Sequence, residues 1–243
     1  MPLGVIAALF RYPVKSMAAE PLSVAELGFH GLRGDRRLAF HRLDVDHGRP
    51  WLSASRMPEL VRYVPTYKEP DSELPTHVRT PAGADMPVFG DELAAEVRQL
   101  CGVPVRMMQL SHGMFDDANL SVISTATVGE IGRLAGLALD IRRFRPNLVL
   151  RLDAPAAFQE DAWLGSLLSF GEGPAAPVVA ITQHDIRCSM VNLDPETAAS
   201  SPSVQKAIVQ SNQNRAGAYG AIIRGGTLTP GLQVFLHPHL AAV

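Results

Sequence analysis

The sequence predicts a mainly β chain with helices, an α+β arrangement whose second half is a β-barrel. Three observations predict it. Beyond residue 145 the chain is a succession of short apolar runs divided by turns such as Thr229-Pro230-Gly231, the pattern of barrels built from short strands. Only three stretches carry the 3.6-residue periodicity of amphipathic helices. The hydrophobic fraction of 47% and charged fraction of 19% over 243 residues allow a substantial core without disulfide or metal staples.

The elements follow in order. Residues 3–10 are an apolar run closed by Arg11-Tyr12-Pro13, which suits a buried strand. Residues 37–42 read as another strand, and 44–48 as the turn after it. Between 65 and 87 the chain is rich in Pro, Thr, Asp and Glu, with short strands at most. Residues 91–101 form the first clear helix. Asp91 can cap it, Leu93, Val97, Leu100 and Cys101 share a face, and Gly102 ends it. Cys101 is therefore read as a core residue. Residues 111–119 are polar and acidic, hence a loop. A second helix has Thr127 and Glu130 at capping-box spacing and an apolar stripe of Val128, Ile131, Leu134 and Ala135. Strands follow at 147–152, 178–183, 219–224 and 233–237. A short helix starts at Pro202 with Ser201 as cap, turning Val204, Ile208 and Val209 inward. A boundary near residue 110 divides the chain into segments 1–110 and 111–243.

Charge and cysteine content narrow the function. The net charge of -2 points neither to nucleic acid nor to an anionic membrane. Two distant cysteines, Cys101 and Cys188, cannot build a disulfide framework or ligate an ordinary iron–sulfur cluster. They fit a reducing compartment, and a cytoplasmic location is expected. The N-terminal run lacks a basic region and a cleavage site, and is too short to span a bilayer. No P-loop, dinucleotide fingerprint, zinc-protease or nucleophile-elbow motif occurs. His237-x-His239 is read as surface polarity.

Four constellations remain. Tyr12-Pro13-Val14-Lys15-Ser16 places an ammonium and a hydroxyl at a strand end, a pairing suited to phosphate. Gly31-Leu32-Arg33-Gly34-Asp35-Arg36-Arg37 crowds three arginines into a loop that is either a solvated turn or an anion site. Arg142-Arg143-Phe144-Arg145-Pro146-Asn147 brings three guanidiniums to a strand entry, which costs repulsion unless anions or carboxylates sit nearby. Ile186-Arg187-Cys188-Ser189-Met190 sets a cysteine beside an arginine, where a thiolate can act as nucleophile, persulfide carrier or soft metal ligand, unless it is simply buried. Together they describe a cationic pocket for a phosphate-bearing ligand with one sulfur facing a soft centre. They do not name the ligand.

The ordered set resembles the MOSC family, the domain found at the C-terminus of molybdenum cofactor sulfurases. The matching segments are Pro13-Val14-Lys15-Ser16, Gly34-Asp35-Arg36, Arg143-Phe144-Arg145-Pro146-Asn147, Glu160-Asp161-Ala162-Trp163, and Arg187-Cys188 followed by Asp194-Pro195-Glu196-Thr197. The resemblance covers nearly the whole chain. It is strongest to members with an N-terminal MOSC β-barrel segment, among them the mitochondrial amidoxime-reducing components and bacterial reducers of hydroxylamino bases. It implies a MOSC-type barrel, a molybdenum cofactor (molybdenum–molybdopterin) and Cys188 as the metal ligand. It also implies that Lys15, Ser16 and Arg36 hold the phosphate region and that Arg145, Asn147 and Arg187 line the cofactor. Asp117 falls where relatives carry an acidic loop residue and is the candidate proton donor. Ala118-Asn119 departs from the small hydroxyl residues found there in the amidoxime reducers.

The resemblance further implies reduction of small N-hydroxylated compounds to amines. Some relatives carry an iron–sulfur domain after the barrel, for which this sequence lacks the cysteines. A separate electron-transfer protein (flavoprotein, ferredoxin or cytochrome) is therefore expected. Two alternatives stay open: a persulfide carried on Cys188 for sulfur transfer, and a non-catalytic cofactor carrier.

Overall fold

Pro2–Arg11 is a ten-residue strand that buries Leu3, Ile6, Leu9 and Phe10. In the computed structural model, which describes residues 1–45, 48, 50–69, 72–115 and 117–238, it pairs antiparallel with Leu148–Leu152 and with Gln233–His237. These contacts close a seven-stranded barrel that runs on through Ser121–Ser124, Arg215–Arg224, Val178–Ile186 and Leu167–Phe170. The barrel core contains Val122, Leu150, Trp163, Leu168, Phe170 and Ile181. At Gly4, with φ +152, an added Cβ would lie 2.1 Å from the Arg151 carbonyl oxygen. Only glycine permits that close approach of the first strand to its partner.

Ser121–Ser124 and Leu148–Leu152 pair in parallel. Parallel neighbours need a long crossover, usually helical; among the described residues the helices are α1 (Asp91–Cys101), α2 (Thr125–Ala135) and α3 (Ser203–Asn212). It is α2 that leaves the end of Ser121–Ser124 and starts the crossover. The chain returns through a 3₁₀ turn at Ile141–Phe144, which delivers the second arginine cluster to the barrel rim.

A second core fills the N-terminal region. Leu38–Arg42 pairs with Val105–Gln109, and a small sheet forms from Val64–Thr66, His77–Arg79 and Asp85–Pro87. Val14, Met17, Phe40, Leu60, Tyr63, Leu93 and Val97 pack together there, and Leu193 joins them from the second half of the chain. Among the described residues, no helix is long and apolar enough to cross a membrane.

The expected strands are present, several of them longer than the sequence suggests. The run at 178–183 extends to Ile186, and that at 219–224 starts at Arg215. The barrel strands Ser121–Ser124 and Leu167–Phe170 are additions, too short to stand out by pattern. The helix ends need correction. Gly90, not Asp91, occupies the cap position of α1. Ser124 caps α2 by accepting from the Thr127 N–H at 3.2 Å, while Glu130 pairs with Arg133. Pro202 is the cap residue of α3, with no side-chain cap. Val204 and Ile208 are buried as expected, but Leu100, Leu134 and Val209 are exposed, because each helix packs by a stripe narrower than its apolar content. Cys101 is partly buried at the edge of the second core, its thiol directed to the Val103 carbonyl at 3.4 Å. Asp46, His47 and His239 lie outside the described residues.

Candidate functional site

The first strand ends at Arg11, and the following residue, Tyr12, is fully buried. Its N–H donates to Asp35 Oδ1 at 2.7 Å, and its carbonyl accepts from the Arg36 N–H at 2.8 Å. The Lys15 N–H then donates to the Leu38 carbonyl at 2.7 Å. Ser16 follows, buried and with φ 67. The strand end is thus laced to the loop at 31–37, and Lys15 and Ser16 sit where that lacing turns the chain.

Arg36 and Arg145 come from loops more than a hundred residues apart and converge here. Both have φ 50, a left-handed conformation that costs an L-residue roughly 1–2 kcal/mol. Their guanidinium carbons lie 4.9 and 4.1 Å from the centroid of the Tyr12 ring. Arg36 donates to Asp35, to Asn147 Oδ1 at 3.3 Å and to the Arg145 carbonyl at 3.1 Å. Arg145 donates to the Met17 carbonyl at 2.7 Å. Asn147 ties the knot, donating to Asp35 Oδ2 at 3.0 Å and the Phe10 carbonyl at 3.2 Å, and accepting from the Ser121 N–H at 3.1 Å. Burial pushes the Tyr12 hydroxyl above the usual tyrosine range, against the pull of Arg145 and Arg36. That hydroxyl has no hydrogen-bond partner among the described residues.

The other arginines of both clusters go elsewhere. Arg33 pairs with Glu26 and Glu73, and Arg37 with Glu73. Arg142 pairs with Asp140 and Glu196, and Arg143 with Asp194. The repulsion expected at 142–147 is relieved by carboxylates.

Cys188 is exposed. It follows the strand Val178–Ile186 and opens a short turn, Ser189–Asn192. The peptide before it is fixed, since the Arg187 carbonyl accepts from Asn214 Nδ2 at 2.6 Å and Gln205 Nε2 at 3.2 Å. The Arg187 guanidinium points back into the protein. It donates to the carbonyls of Ala216 and Phe144, each at 2.7 Å, and pairs with Asp185 at 2.8 Å. Gly217, with φ +86, gives it room, because a Cβ there would lie 3.1 Å from Arg187 Nη2 and 2.6 Å from the Val122 carbonyl. On the far side, Ser189 Oγ donates to Ser55 Oγ at 3.3 Å. The thiol therefore emerges where the barrel meets the N-terminal region.

Asp185 and Tyr219 carry no signal in the motifs, and Asp35, although inside Gly34-Asp35-Arg36, is given no role by them. Asp35 is the buried counter-charge of Arg36. Asp185 accepts from Ser121 Oγ at 2.8 Å, and burial pushes its carboxyl up to about 6 against the charges of Arg187 and Arg36. Burial likewise pushes the Tyr219 hydroxyl up. Strand alternation does not mark Asp185, because the register of its strand shifts between Ile181 and Gln183 and again between His184 and Ile186, and Gln183 is exposed. Glu160, from a matched segment, is buried and accepts from the Ser124 N–H at 2.6 Å and Thr127 Oγ1 at 2.7 Å, fixing the start of α2.

An open cleft of about 450 Å³ lies to one side, with walls that include Phe29, His30, His112 and Thr227 together with Arg33, Asp35 and Arg37 of the first arginine loop. Asp117 is exposed. Phe115 covers Arg36, with the guanidinium carbon 5.8 Å from its ring centroid, and Asn119 Nδ2 donates to the Phe29 carbonyl at 2.9 Å.

The donor set fits a molybdenum–pterin cofactor. An exposed sulfur suits a soft metal. Two guanidiniums held over the ring of a buried tyrosine, whose hydroxyl has no partner among the described residues, suit a phosphate-bearing anion.

Residues 109–235 match the model of the MOSC domain, and residues 3–119 that of the MOSC N-terminal beta barrel domain. No curated protein matches the sequence. Among solved structures, YUAD protein from Bacillus subtilis has 13% identity and a TM-score of 0.53, with 98% of this chain and 97% of that chain covered. YiiM from Geobacillus stearothermophilus has 20% identity and a TM-score of 0.38, covering 50% of this chain and 55% of that one. YiiM from Escherichia coli has 16% identity and a TM-score of 0.37, covering 52% and 58%.

Proposed function

Because the chain belongs to the MOSC family, which is associated in general with the molybdenum cofactor, we propose that it binds that cofactor through Cys188. We further propose that it reduces small N-hydroxylated compounds to amines. The observation that carries this reading is the pairing of an exposed thiol on a fixed peptide with Arg36 and Arg145 gathered on one buried tyrosine.

In this reading Lys15, Ser16, Arg36 and Arg145 hold the anionic, phosphate-bearing end. Asn147 positions Arg36 rather than touching ligand. Arg187 acts through its neighbours too: its donors are spent on Ala216, Phe144 and Asp185, so it fixes the direction in which Cys188 leaves the strand. When bound, the cofactor supplies two-electron oxygen-transfer chemistry. The balance is R–NHOH + 2 e⁻ + 2 H⁺ → R–NH₂ + H₂O, with electrons from a separate electron-transfer protein. In this reading the exposed Asp117 is the candidate proton donor.

The test is reduction of hydroxylaminopurine and of an amidoxime by protein from a cofactor-producing host, with a reduced dye as donor. Turnover in the native chain and its loss in Cys188→Ala is expected. Cofactor-loaded protein that turns over neither substrate contradicts the reading. The exposure of Cys188 also favours a second reading, sulfur transfer through a persulfide. Sulfane sulfur on Cys188 in molybdenum-free protein would select it.

A further inference from the structure

The turn at Ile141–Phe144 packs through Ile141 against the cluster of Phe10, Tyr12 and Val149. Beside that contact is a cavity of about 20 Å³. Its polar lining is Tyr12, Arg142, Arg143 and Arg145, and its other walls include Ala18, Ala19 and Val61.

Two of the lining side chains each carry a buried polar atom with no hydrogen-bond partner among the described residues: the Tyr12 hydroxyl and Arg143 Nε. Tyr12 is fully buried and Arg143 is 8% exposed. The rest of the Arg143 fork is engaged. Its Nη1 donates to the Asn192 carbonyl and its Nη2 to Asp194 Oδ2, each at 2.8 Å. Because the fork is rigid and planar, Nε cannot turn to a new acceptor without giving up one of those bonds. Buried donors are almost always matched, and one that protein atoms leave over marks a place for a water or an ion.

Size and charge choose between those occupants. A single water-sized particle needs about 10–15 Å³, so the cavity holds one and admits no polyatomic oxyanion. A water brings two hydrogens that need acceptors, whereas Arg143 Nε only donates and the side chains of Ala18, Ala19 and Val61 accept nothing. A monatomic anion has no hydrogens to place and accepts from both orphaned groups. The field points the same way. Among the groups acting most strongly on the Tyr12 hydroxyl are three guanidiniums, Arg145, Arg36 and Arg142, against one carboxylate, Asp35. The neighbouring carboxylates Asp140, Asp194 and Glu196 reach solvent and hold the ends of Arg142 and Arg143. Where water does not screen it, such an excess favours a negative occupant.

We propose that this cavity is a halide site, holding one chloride ion between the Tyr12 hydroxyl and Arg143 Nε. The ion ties the end of the first strand to the second arginine loop. Through the hold of Arg143 on Asn192 and Asp194, it also ties both to the segment after Cys188. The site is separate from the seat assigned to the cofactor's phosphate, which this cavity is too small to admit. It stands whether or not the chain reduces N-hydroxylated compounds.

The experiment uses the full native chain, with sodium bromide and sodium chloride as probes, and needs no turnover. Crystals grown in bromide, measured at the bromine absorption edge, should show an anomalous peak in the cavity within hydrogen-bond reach of Tyr12 Oη and Arg143 Nε. In solution the melting temperature should rise saturably with chloride or bromide, and not with gluconate or sulfate at equal ionic strength, as for an anion that binds only the folded chain. Val61→Ile, which adds a methyl group to the wall, should abolish both the peak and the saturable rise. Tyr12→Phe removes one of the two donors and should weaken halide binding by about 10-fold, the scale of one hydrogen bond to a charged group.

A water in the cavity with no bromine signal overturns the proposal. So does a melting temperature that follows ionic strength alone, or a saturable rise that Val61→Ile retains. If neither variant folds, the bromide diffraction of the native chain decides.

Discussion

The loops at 31–37 and 142–147 are alike in sequence and alike in what they hide. Each offers three arginines, and in each two are matched by carboxylates: Arg33 and Arg37 by Glu26 and Glu73, Arg142 and the buried Arg143 by Asp140, Glu196 and Asp194. In each, one arginine adopts φ 50 and turns inward to Tyr12. They differ in how the inner member is held. Arg36 has Asp35 beside it, almost wholly buried, whereas Arg145 is drawn to the Met17 carbonyl. Density of arginine therefore does not mark the proposed anion site. The strained backbone position does, and it selects a single arginine from each cluster.

Breaking the inner part of the first loop should have the largest effect. Asp35→Ala leaves the Tyr12 N–H without its acceptor and removes the carboxylate partner of the Arg36 charge and of the Asn147 amide. A loss of about 3–5 kcal/mol in urea unfolding is expected, the usual result of stripping one partner from a buried pair. A loss below about 1 kcal/mol would mean that Asp35 is no more important than an outer carboxylate.

Next is the acid that Ser121 joins to this network. The carboxyl of Asp185 is raised to about 6 from 3.8. Between those values the folded chain holds a proton that the unfolded chain has released, so stability should fall as pH rises from about 4 to 6, and level off above. The contribution is about 2–3 kcal/mol. Unfolding measured across this range in the native chain and in Asp185→Asn should show the slope only in the former. Equal slopes would show that this carboxyl ionises normally.

The outer members should matter least. Arg142 is half-exposed between Asp140 and Glu196, and Arg142→Ala should cost under about 1 kcal/mol after solvent screening. Arg33→Ala, at a fully exposed pair, should leave the melting temperature unchanged. A large loss at either position would erase the distinction between inner and outer arginines.

The sequence shows the barrel strands well where a run is long and apolar, as at 3–10 and 233–237. It hides Ser121–Ser124, because four residues give too few alternations, and two of them are serines whose partners lie at Asn147, Asp185 and Glu160. The motifs name Lys15, Ser16, Arg36, Arg145, Asn147 and Cys188, and the fold gathers Arg36, Arg145 and Asn147 into one hydrogen-bonded knot. What they do not convey is direction. Arg187 reads as a ligand contact beside Cys188, yet its side chain turns inward to the carbonyls of Ala216 and Phe144 and to Asp185. Asp185 is missed for the same reason, because its partners come from Arg215–Arg224 and Ser121–Ser124, and only the closed barrel brings those strands to it.

The central claim is that Cys188 and the two inward arginines together hold a molybdenum cofactor. Molybdenum per protein chain, measured by elemental analysis after expression in a cofactor-producing host, tests it most directly. The native chain should approach one metal per chain and Cys188→Ala should lose it, with Arg33→Ala as the unaffected control. A native chain without molybdenum, or a Cys188→Ala variant that keeps it, would contradict the account.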